Sequence, residues 1–193
     1  MKRTLEKSKY QDKILTVPNV LSAFRISLIP IIACLYLINK NYMMTGILVL
    51  FSGLTDVVDG WIARRFNMIS DLGKILDPVA DKSTQIVVAM LLVTRFHLML
   101  LPLIVGVIKE IFMGISGYFV VKKCGVVLGA EWHGKLATVT LTLTMALHLL
   151  WYEIPAGISA TTIVLSSITI VLSLVLYAVR NSSYLMAERK NAT

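Results

Sequence analysis

The chain has 193 residues, 56% of them hydrophobic and 16% charged, and its mean hydropathy is +0.77. These values exclude an ordinary soluble domain and predict a membrane protein. The formal net charge of +8 would suit nucleic acid, but a soluble nucleic-acid-binding protein spreads its basic residues over a solvated face. We therefore expect no nucleic-acid partner. One domain over residues 1–193 accommodates about six spans, because each span needs roughly 20 apolar residues.

The first 15 residues mix charged side chains with apolar ones such as Leu5 and Ile14. This pattern permits an amphipathic helix on the cytoplasmic membrane surface, and a flexible solvated tail fits it equally well. The basic stretch contains Glu6 and Asp12, and no small-residue cleavage site follows the first apolar run. We therefore expect no cleavable signal peptide.

Hydropathy predicts six membrane-spanning helices, and hence an all-α membrane protein built as a six-transmembrane-helix bundle. The third segment also carries Asp77, Asp81 and Lys82, so a strict hydropathy criterion is expected to shorten or miss it. The six segments are residues 20–38, 43–62, 76–94, 98–121, 136–152 and 158–179.

The distribution of Lys and Arg predicts that both termini are cytoplasmic. With this orientation only Lys40 and Arg95 lie on the opposite side, which satisfies the positive-inside rule for an even number of spans. The sequence thus predicts a multi-pass protein of the plasma or inner membrane. The basic residues placed on the cytoplasmic side are Lys2, Arg3, Lys7, Lys9, Lys13, Arg64, Arg65, Lys74, Lys122, Lys123, Arg180, Arg189 and Lys190.

Four aspartates lie at the predicted cytoplasmic ends of the second and third helices. Asp56 and Asp59 are three residues apart, and Asp77 and Asp81 are four apart, so each pair shares one face of its helix. Two adjacent antiparallel helices would direct all four carboxylates into one cytoplasmic pocket.

Four close carboxylates repel one another in a partly dry pocket unless cations hold them. Oxygen ligands of this kind suit Mg²⁺ or Mn²⁺, and a pair of such ions binds phosphates and stabilises charge as a phosphorus–oxygen bond is exchanged. The sequence therefore predicts a two-metal site for a substrate containing pyrophosphate.

Small and basic residues follow the first aspartate pair. Gly60 and Ala63 would let a phosphorylated ligand approach the helix closely, and the guanidinium of Arg64 suits phosphate. The alternative for the two small residues is that they only allow close helix packing, as small residues often do in membranes.

The segment from Asp56 to Asp81 fits the pattern D-x2-D-G-x2-A-R-x8-G-x3-D-x3-D at every fixed position, and in this it resembles the CDP-alcohol phosphatidyltransferase family. The resemblance implies a membrane enzyme, usually a homodimer, that transfers the phosphatidyl group from CDP-diacylglycerol to a small hydroxyl acceptor. It assigns Asp81 as general base. It places around the nucleotide Gly60, Ala63, Arg64 and Gly73, and in the metal site Asp56, Asp59, Asp77 and Asp81.

The first predicted span is similar to that of family members acting on glycerol 3-phosphate, which often read P-N-x-x-T-x-x-R. Here the residues are Pro18, Asn19, Ser22 and Arg25, and Ser22 keeps the hydroxyl of the usual Thr. This likeness adds Asn19 and Ser22 to the nucleotide site and Arg25 to the acceptor site. Because Arg25 is costly inside a bilayer, it should face the bundle interior.

Two lysines are further candidates for binding an acceptor phosphate. Lys109 lies where the same members show Arg-Glu, and Lys135 lies where they show Gly-Lys-Ile-Lys-Thr. Gly117 and Ala137 stand where those members often carry a basic residue, which weakens the assignment of glycerol 3-phosphate. Of the three histidines, His133 beside Gly134 and Lys135 is the one worth testing.

The predicted reaction is phosphatidyl transfer to glycerol 3-phosphate, giving phosphatidylglycerophosphate and CMP. One alternative keeps the chemistry and uses phosphatidylglycerol, giving cardiolipin, and another uses a different alcohol. A more distant alternative is an ion or proton transporter, because intramembrane carboxylates also line ion pathways.

Overall fold

The computed structural model describes residues 16–66, 71–125, 129, 131–151 and 153–191. Within these ranges it leaves undescribed the side chains at positions 57, 59, 60, 63, 64, 71, 72, 74, 75, 124, 185 and 187–191. The predicted N-terminal interfacial segment, residues 1–15, lies outside the described residues.

The described chain consists of helices and their connections, which confirms the prediction of an all-α membrane protein. No strand occurs in the described ranges. The helices are α1 Val17–Leu37, α2 Tyr42–Arg65, α3 Asp71–Val93, a 3₁₀ turn His97–Met99, α4 Leu100–Cys124, α5 Trp132–Leu150 and α6 Ala156–Asn191.

Among the described residues, three stretches are long and apolar enough to cross a membrane: Val17–Leu37, His97–Lys123 and Ala156–Tyr184. The apolar part of α2, Tyr42–Asp56, is shorter, since aspartates and arginines follow it. Charged residues likewise interrupt the apolar run of α3, as the sequence predicted. The count of six spans stays a prediction, although each predicted segment overlaps one of the six α-helices.

Local capping explains where several helices begin and end. Thr16 caps α1 by accepting a hydrogen bond from the Asn19 backbone N–H at 3.4 Å, and the Asn41 side chain accepts from the Met44 N–H at 3.1 Å at the start of α2. Gly125, with φ of +65°, ends α4 in the left-handed conformation that glycine adopts without strain.

The described residues divide into two compact units, one ending at Val87 and the other beginning at Val88. In the first unit α1 packs against α2. The buried stripe of α1 is polar towards its N-terminal end and apolar towards its C-terminal end. Its members are Asn19, Ser22, Arg25, Leu28, Ile32 and Tyr36.

In the second unit α6 packs against both α4 and α5. Hydroxyl and amide groups join the helices: the hydroxyls of Thr140 and Thr169 are 2.7 Å apart, and the Asn181 amide donates to Ser116 Oγ at 2.7 Å. Such interhelical hydrogen bonds stabilise helix packing where water is absent.

The exposed surface of α6 is largely apolar, and its packed face carries polar side chains among apolar ones. Ser166, Ser173 and Asn181 are at most 3% exposed, whereas Leu165 and Ile168 are 56% and 57% exposed. In water this arrangement would leave apolar surface unburied, but in a bilayer the exposed side chains contact lipid and the polar groups bond within the protein. The pattern agrees with a membrane protein.

The first turn of α5 is held by a tyrosine on α6. The Tyr177 hydroxyl accepts a hydrogen bond from the Glu131 backbone N–H at 2.9 Å, and its ring contacts the His133 ring with centroids 4.4 Å apart. Tyr177 is 1% exposed. Because of this packing, only a residue without a side chain fits at Gly134.

We expect Gly134→Ala to destabilise the protein by about 1–3 kcal/mol, the usual range for overpacking. An added Cβ would lie 2.4 Å from the Tyr177 hydroxyl, and Tyr177 cannot withdraw without losing its bond to Glu131. Thermal unfolding in detergent micelles measures the effect. Gly114→Ala is the matched control, because nothing lies within 4 Å of its added Cβ. Equal unfolding midpoints for the two variants would contradict the close approach.

Candidate active site

The four aspartates of the motif lie on two continuous helices in the registers that the sequence predicted. Asp56 and Asp59 belong to the last three turns of α2, and Asp77 and Asp81 to the first half of α3. Residues three or four apart share one side of a helix. The backbone therefore provides the two carboxylate pairs that the motif requires.

Asp56 forms an ion pair with Arg25 of α1, through Oδ1 and the Nη1 donor of the guanidinium. The Arg25 side chain is 2% exposed and that of Asp56 is 41% exposed. A buried guanidinium needs a nearby negative charge, because an uncompensated cation in an apolar interior is costly. The pair therefore explains how an arginine is tolerated inside α1.

Asp77 accepts a hydrogen bond at Oδ1 from the hydroxyl of Ser22 on α1. Ser22 also lies 3.0 Å from the Pro18 carbonyl oxygen, and its Oγ accepts a longer hydrogen bond of 3.4 Å from Arg25 Nη2. A continuous polar chain thus runs from Asp77 through Ser22 and Arg25 to Asp56. It brings one carboxylate from each pair to the same segment of α1.

Sequence reasoning did not identify these contacts between α1 and the aspartates. It assigned Ser22 to the nucleotide and Arg25 to the acceptor, and both roles stay predictions. A signal was available: Asn19, Ser22 and Arg25 recur every three residues, so they share one face of α1. The cost of burying Arg25 also required an anionic partner, and the four aspartates were the obvious candidates.

The structure describes the other predicted residues of the metal and nucleotide sites less completely. Asp81 is partly buried one turn beyond Asp77, and Gly73 is buried near the start of α3. Asn19 is 5% exposed beside Ser22 on the α1 stripe. The side chains of Asp59, Gly60, Ala63 and Arg64 lie outside the described set, so their predicted roles stay predictions.

The donor atoms of this site suit a divalent cation. Asp56 and Asp77 are bonded to neighbouring residues of α1, and both bonds use Oδ1, so the Oδ2 atoms take no part in them. Carboxylate oxygens are preferred ligands of Mg²⁺ and Mn²⁺. Among the described side chains, no group of three His, Cys, Asp or Glu residues is arranged to hold a metal ion. The side chain of Asp59 is not among those described.

The two candidate acceptor lysines belong to the second unit. Lys109 of α4 is buried, and its Nζ lies 2.9 Å from Oε1 of Glu110, whose side chain is 39% exposed. Lys135 is exposed in the first turn of α5, directly after Gly134. Their roles in acceptor binding stay predictions.

The buried histidines are engaged in helix packing. His133 Nδ1 lies 3.2 Å from Ser173 Oγ, and the His148 ring bridges the Thr144 carbonyl and the Ser159 hydroxyl at 2.7 and 2.8 Å. Both rings therefore join α5 to α6. The contact also identifies His133 as a support of the α5 N-terminus.

Comparison with known proteins yields a family match over most of the chain. The model of the family described as CDP-alcohol phosphatidyltransferase matches residues 15–179. This range contains the acidic motif, the α1 residues that contact it and both candidate acceptor lysines. Enzymes of the family generally depend on divalent metal ions, in keeping with the donor set.

Several curated relatives match parts of the chain. A CDP-diacylglycerol–glycerol-3-phosphate 3-phosphatidyltransferase of Aquifex aeolicus is 46% identical over 68 residues, which are 35% of this chain and 38% of the relative. A putative cardiolipin synthase of Mycobacterium bovis is 47% identical over 75 residues, 37% of this chain and 34% of the relative.

A third relative is a fusion protein of Schizosaccharomyces pombe named cardiolipin synthase (CMP-forming) / mitochondrial hydrolase. It is 38% identical over 98 residues, 50% of this chain and 16% of that protein. In all three cases the match spans well under half of the relative's length. The similarity is therefore local, and it is shared by relatives named as a glycerol-3-phosphate 3-phosphatidyltransferase and as cardiolipin synthases.

Proposed function

Because the chain belongs to the CDP-alcohol phosphatidyltransferase family, we propose that it transfers the phosphatidyl group of CDP-diacylglycerol to glycerol 3-phosphate, releasing CMP. The observation that supports this most is the polar chain that joins Asp56 and Asp77 through Arg25 and Ser22. It connects the acidic motif to the α1 residues that resemble members acting on glycerol 3-phosphate.

In this proposal Asp56, Asp59, Asp77 and Asp81 hold Mg²⁺ or Mn²⁺. When bound, the ions supply positive charge that stabilises the phosphate oxygens of CDP-diacylglycerol. Gly60 and Ala63 of α2 lack bulky side chains and would let the nucleotide approach the helix, and Arg64 adds a guanidinium suited to phosphate. Asn19 and Gly73 complete the proposed nucleotide site.

Asp81 acts on the acceptor. It removes the proton of the attacking hydroxyl as that oxygen forms a bond to the β-phosphorus, and the bond from this phosphorus to the oxygen of the departing CMP breaks. Lys109 and Lys135 hold the phosphate of glycerol 3-phosphate by charge-assisted hydrogen bonds. Positioning of the two substrates supplies much of the rate.

The second candidate reaction uses phosphatidylglycerol as acceptor and gives cardiolipin. The relatives named cardiolipin synthase at 38% and 47% identity favour it, and so do Gly117 and Ala137 at positions where a basic residue is usual. The two reactions share the acidic site and differ only in the acceptor.

Product identity separates the two reactions. Purified full-length chain is given radiolabelled CDP-diacylglycerol with Mn²⁺ and either glycerol 3-phosphate or phosphatidylglycerol, and the lipids are resolved by chromatography. Labelled phosphatidylglycerophosphate supports the first proposal and labelled cardiolipin the second. Labelled product from neither acceptor would count against both.

We predict that Lys109→Gln and Lys135→Gln each raise the KM for glycerol 3-phosphate about tenfold or more. The reason is that each removes a charge-assisted hydrogen bond to its phosphate. Lys123→Gln, at the exposed end of α4, is the matched control and should leave this KM unchanged. Initial rates at varied concentrations of each substrate measure the effect. A rise confined to the KM for CDP-diacylglycerol would show that the acceptor assignment is wrong.

We also propose that the protein is a multi-pass homodimer of the plasma or inner membrane with both termini and the active site cytoplasmic. The predicted orientation leaves Lys40, between α1 and α2, outside, and Lys123, at the end of α4, inside. In a background with Cys34 and Cys124 replaced by Ser, a membrane-impermeant maleimide on intact cells should label Asn39→Cys and spare Lys123→Cys. Labelling of both positions would contradict this topology.

A further inference from the structure

We propose that Ser22 and Arg25 of α1 are positioning residues, which hold Asp77 and Asp56 in their binding conformations before metal and nucleotide arrive. The inference rests on the proposed function, because it concerns the aspartates assigned to the metal site. This task replaces the contacts with nucleotide and acceptor that were predicted for these two residues from the sequence.

The geometry of α1 carries this proposal. Ser22 and Arg25 are 0% and 2% exposed, lie one turn apart, and are joined by the hydrogen bond from Nη2 to Oγ. Each holds a carboxylate from a different helix, Asp77 of α3 and Asp56 of α2. One buried pair on a single helix therefore fixes the conformations of two otherwise independent side chains.

The bonds leave metal binding open. Both use Oδ1, and an ionised carboxylate can accept several bonds on its two oxygens. Asp56 remains 41% exposed although its partner is buried. The α1 residues thus hold each carboxylate from the protein side, while the second oxygen can bind another ligand.

Charge compensation adds to the positioning. The carboxylates repel one another when no cation is bound, and the guanidinium of Arg25 offsets part of this repulsion at Asp56. Ser22 carries no formal charge, but its hydroxyl orients Asp77 and stabilises the ionised carboxylate by a hydrogen bond. Ordering a free side chain at the moment of binding weakens affinity by a factor of roughly 3 to 10, and this is the size of effect expected at Ser22.

The experiment titrates purified full-length chain in detergent micelles with Mn²⁺ alone and follows free Mn²⁺ by electron paramagnetic resonance. Ser22→Ala should raise the dissociation constant about 3- to 10-fold, and Ser22→Thr, which keeps the hydroxyl, should restore it. Ser27→Ala is the matched control on the same helix, because the Ser27 hydroxyl is exposed and bonds to the Phe24 carbonyl at 2.7 Å. Its constant should not change.

Arg25→Lys tests the second contact. The ammonium keeps the charge and loses the guanidinium geometry, so the Mn²⁺ dissociation constant and the Mn²⁺ concentration giving half-maximal CMP release should both rise, with the acceptor KM unchanged. A rise in acceptor KM at constant Mn²⁺ affinity would instead assign Arg25 to the acceptor and overturn its positioning role.

The outcomes separate this inference from the proposed function. Equal Mn²⁺ constants for Ser22→Ala and Ser27→Ala, or no Mn²⁺ binding by the unmodified chain, would overturn the positioning role even if transfer activity is present. Conversely, the expected Mn²⁺ shifts without any phosphatidyl transfer would support the positioning role and reject the proposed reaction.

Discussion

Asp56→Asn, Asp59→Asn and Asp77→Asn are each expected to abolish CMP release from CDP-diacylglycerol. Asn keeps the size of the side chain and removes its charge, so each variant would lose a proposed ligand of the divalent ions that stabilise phosphate charge. Release of CMP by purified chain at saturating Mn²⁺ measures the effect. Of the three variants, Asp56→Asn should also lower the unfolding midpoint, because the buried Arg25 then loses its ion pair with Asp56.

The matched control is Glu153→Gln, which removes an exposed carboxylate between α5 and α6 and should retain full activity. Unfolding midpoints above the assay temperature establish that the inactive variants are folded. If a folded Asp56→Asn or Asp77→Asn variant kept wild-type turnover, these aspartates would have no essential role.

Asp81→Asn is expected to lower turnover by about 10² to 10⁴, the usual scale for losing a general acid or base, while affinity for CDP-diacylglycerol is largely kept. Asp81 lies one helical turn beyond Asp77 on α3. It can therefore serve the acceptor hydroxyl while Asp77, bonded to Ser22, serves the nucleotide side.

Binding of a CDP analogue to Asp81→Asn, titrated against Mg²⁺, distinguishes a base from a metal ligand. If Asp81 acts only as a base, metal-dependent binding of the analogue to the variant stays close to that of the unmodified chain. If that binding falls together with turnover, Asp81 acts chiefly through the metal and its assignment as base is wrong.

Hydropathy predicted the existence and order of the six helices, because apolar runs of this length have few alternatives. It was less accurate where the chain is polar and still helical. The third segment was predicted over 76–94, yet α3 begins at Asp71, since charged residues at a helix end do not break helical hydrogen bonding.

The last helix shows the same limit. The sixth segment was predicted over 158–179, whereas α6 runs from Ala156 to Asn191, roughly 54 Å at 1.5 Å per residue. That length exceeds the hydrocarbon core of about 30 Å. Hydropathy detects only the apolar part, and the polar continuation after Val179 carries no such signal.

The acidic motif was predictable because spacing along a helix fixes which residues share a face. The contacts of Ser22 and Arg25 were not, because spacing within one helix does not reveal which residues of another helix face it. The need for glycine at position 134 was equally hidden, since it depends on Tyr177, which lies 43 positions further along the chain.

Metal-dependent phosphatidyl transfer from CDP-diacylglycerol can be measured in a single assay. Full-length chain reconstituted in liposomes receives CDP-diacylglycerol labelled in both the cytidine and the diacylglycerol parts, glycerol 3-phosphate, and either Mn²⁺ or excess chelator. We expect equal amounts of CMP and labelled phosphatidylglycerophosphate with Mn²⁺, and neither with chelator. Full release of CMP in chelator, or CMP release without a phosphatidyl product in the presence of any alcohol acceptor, would contradict metal-dependent transfer.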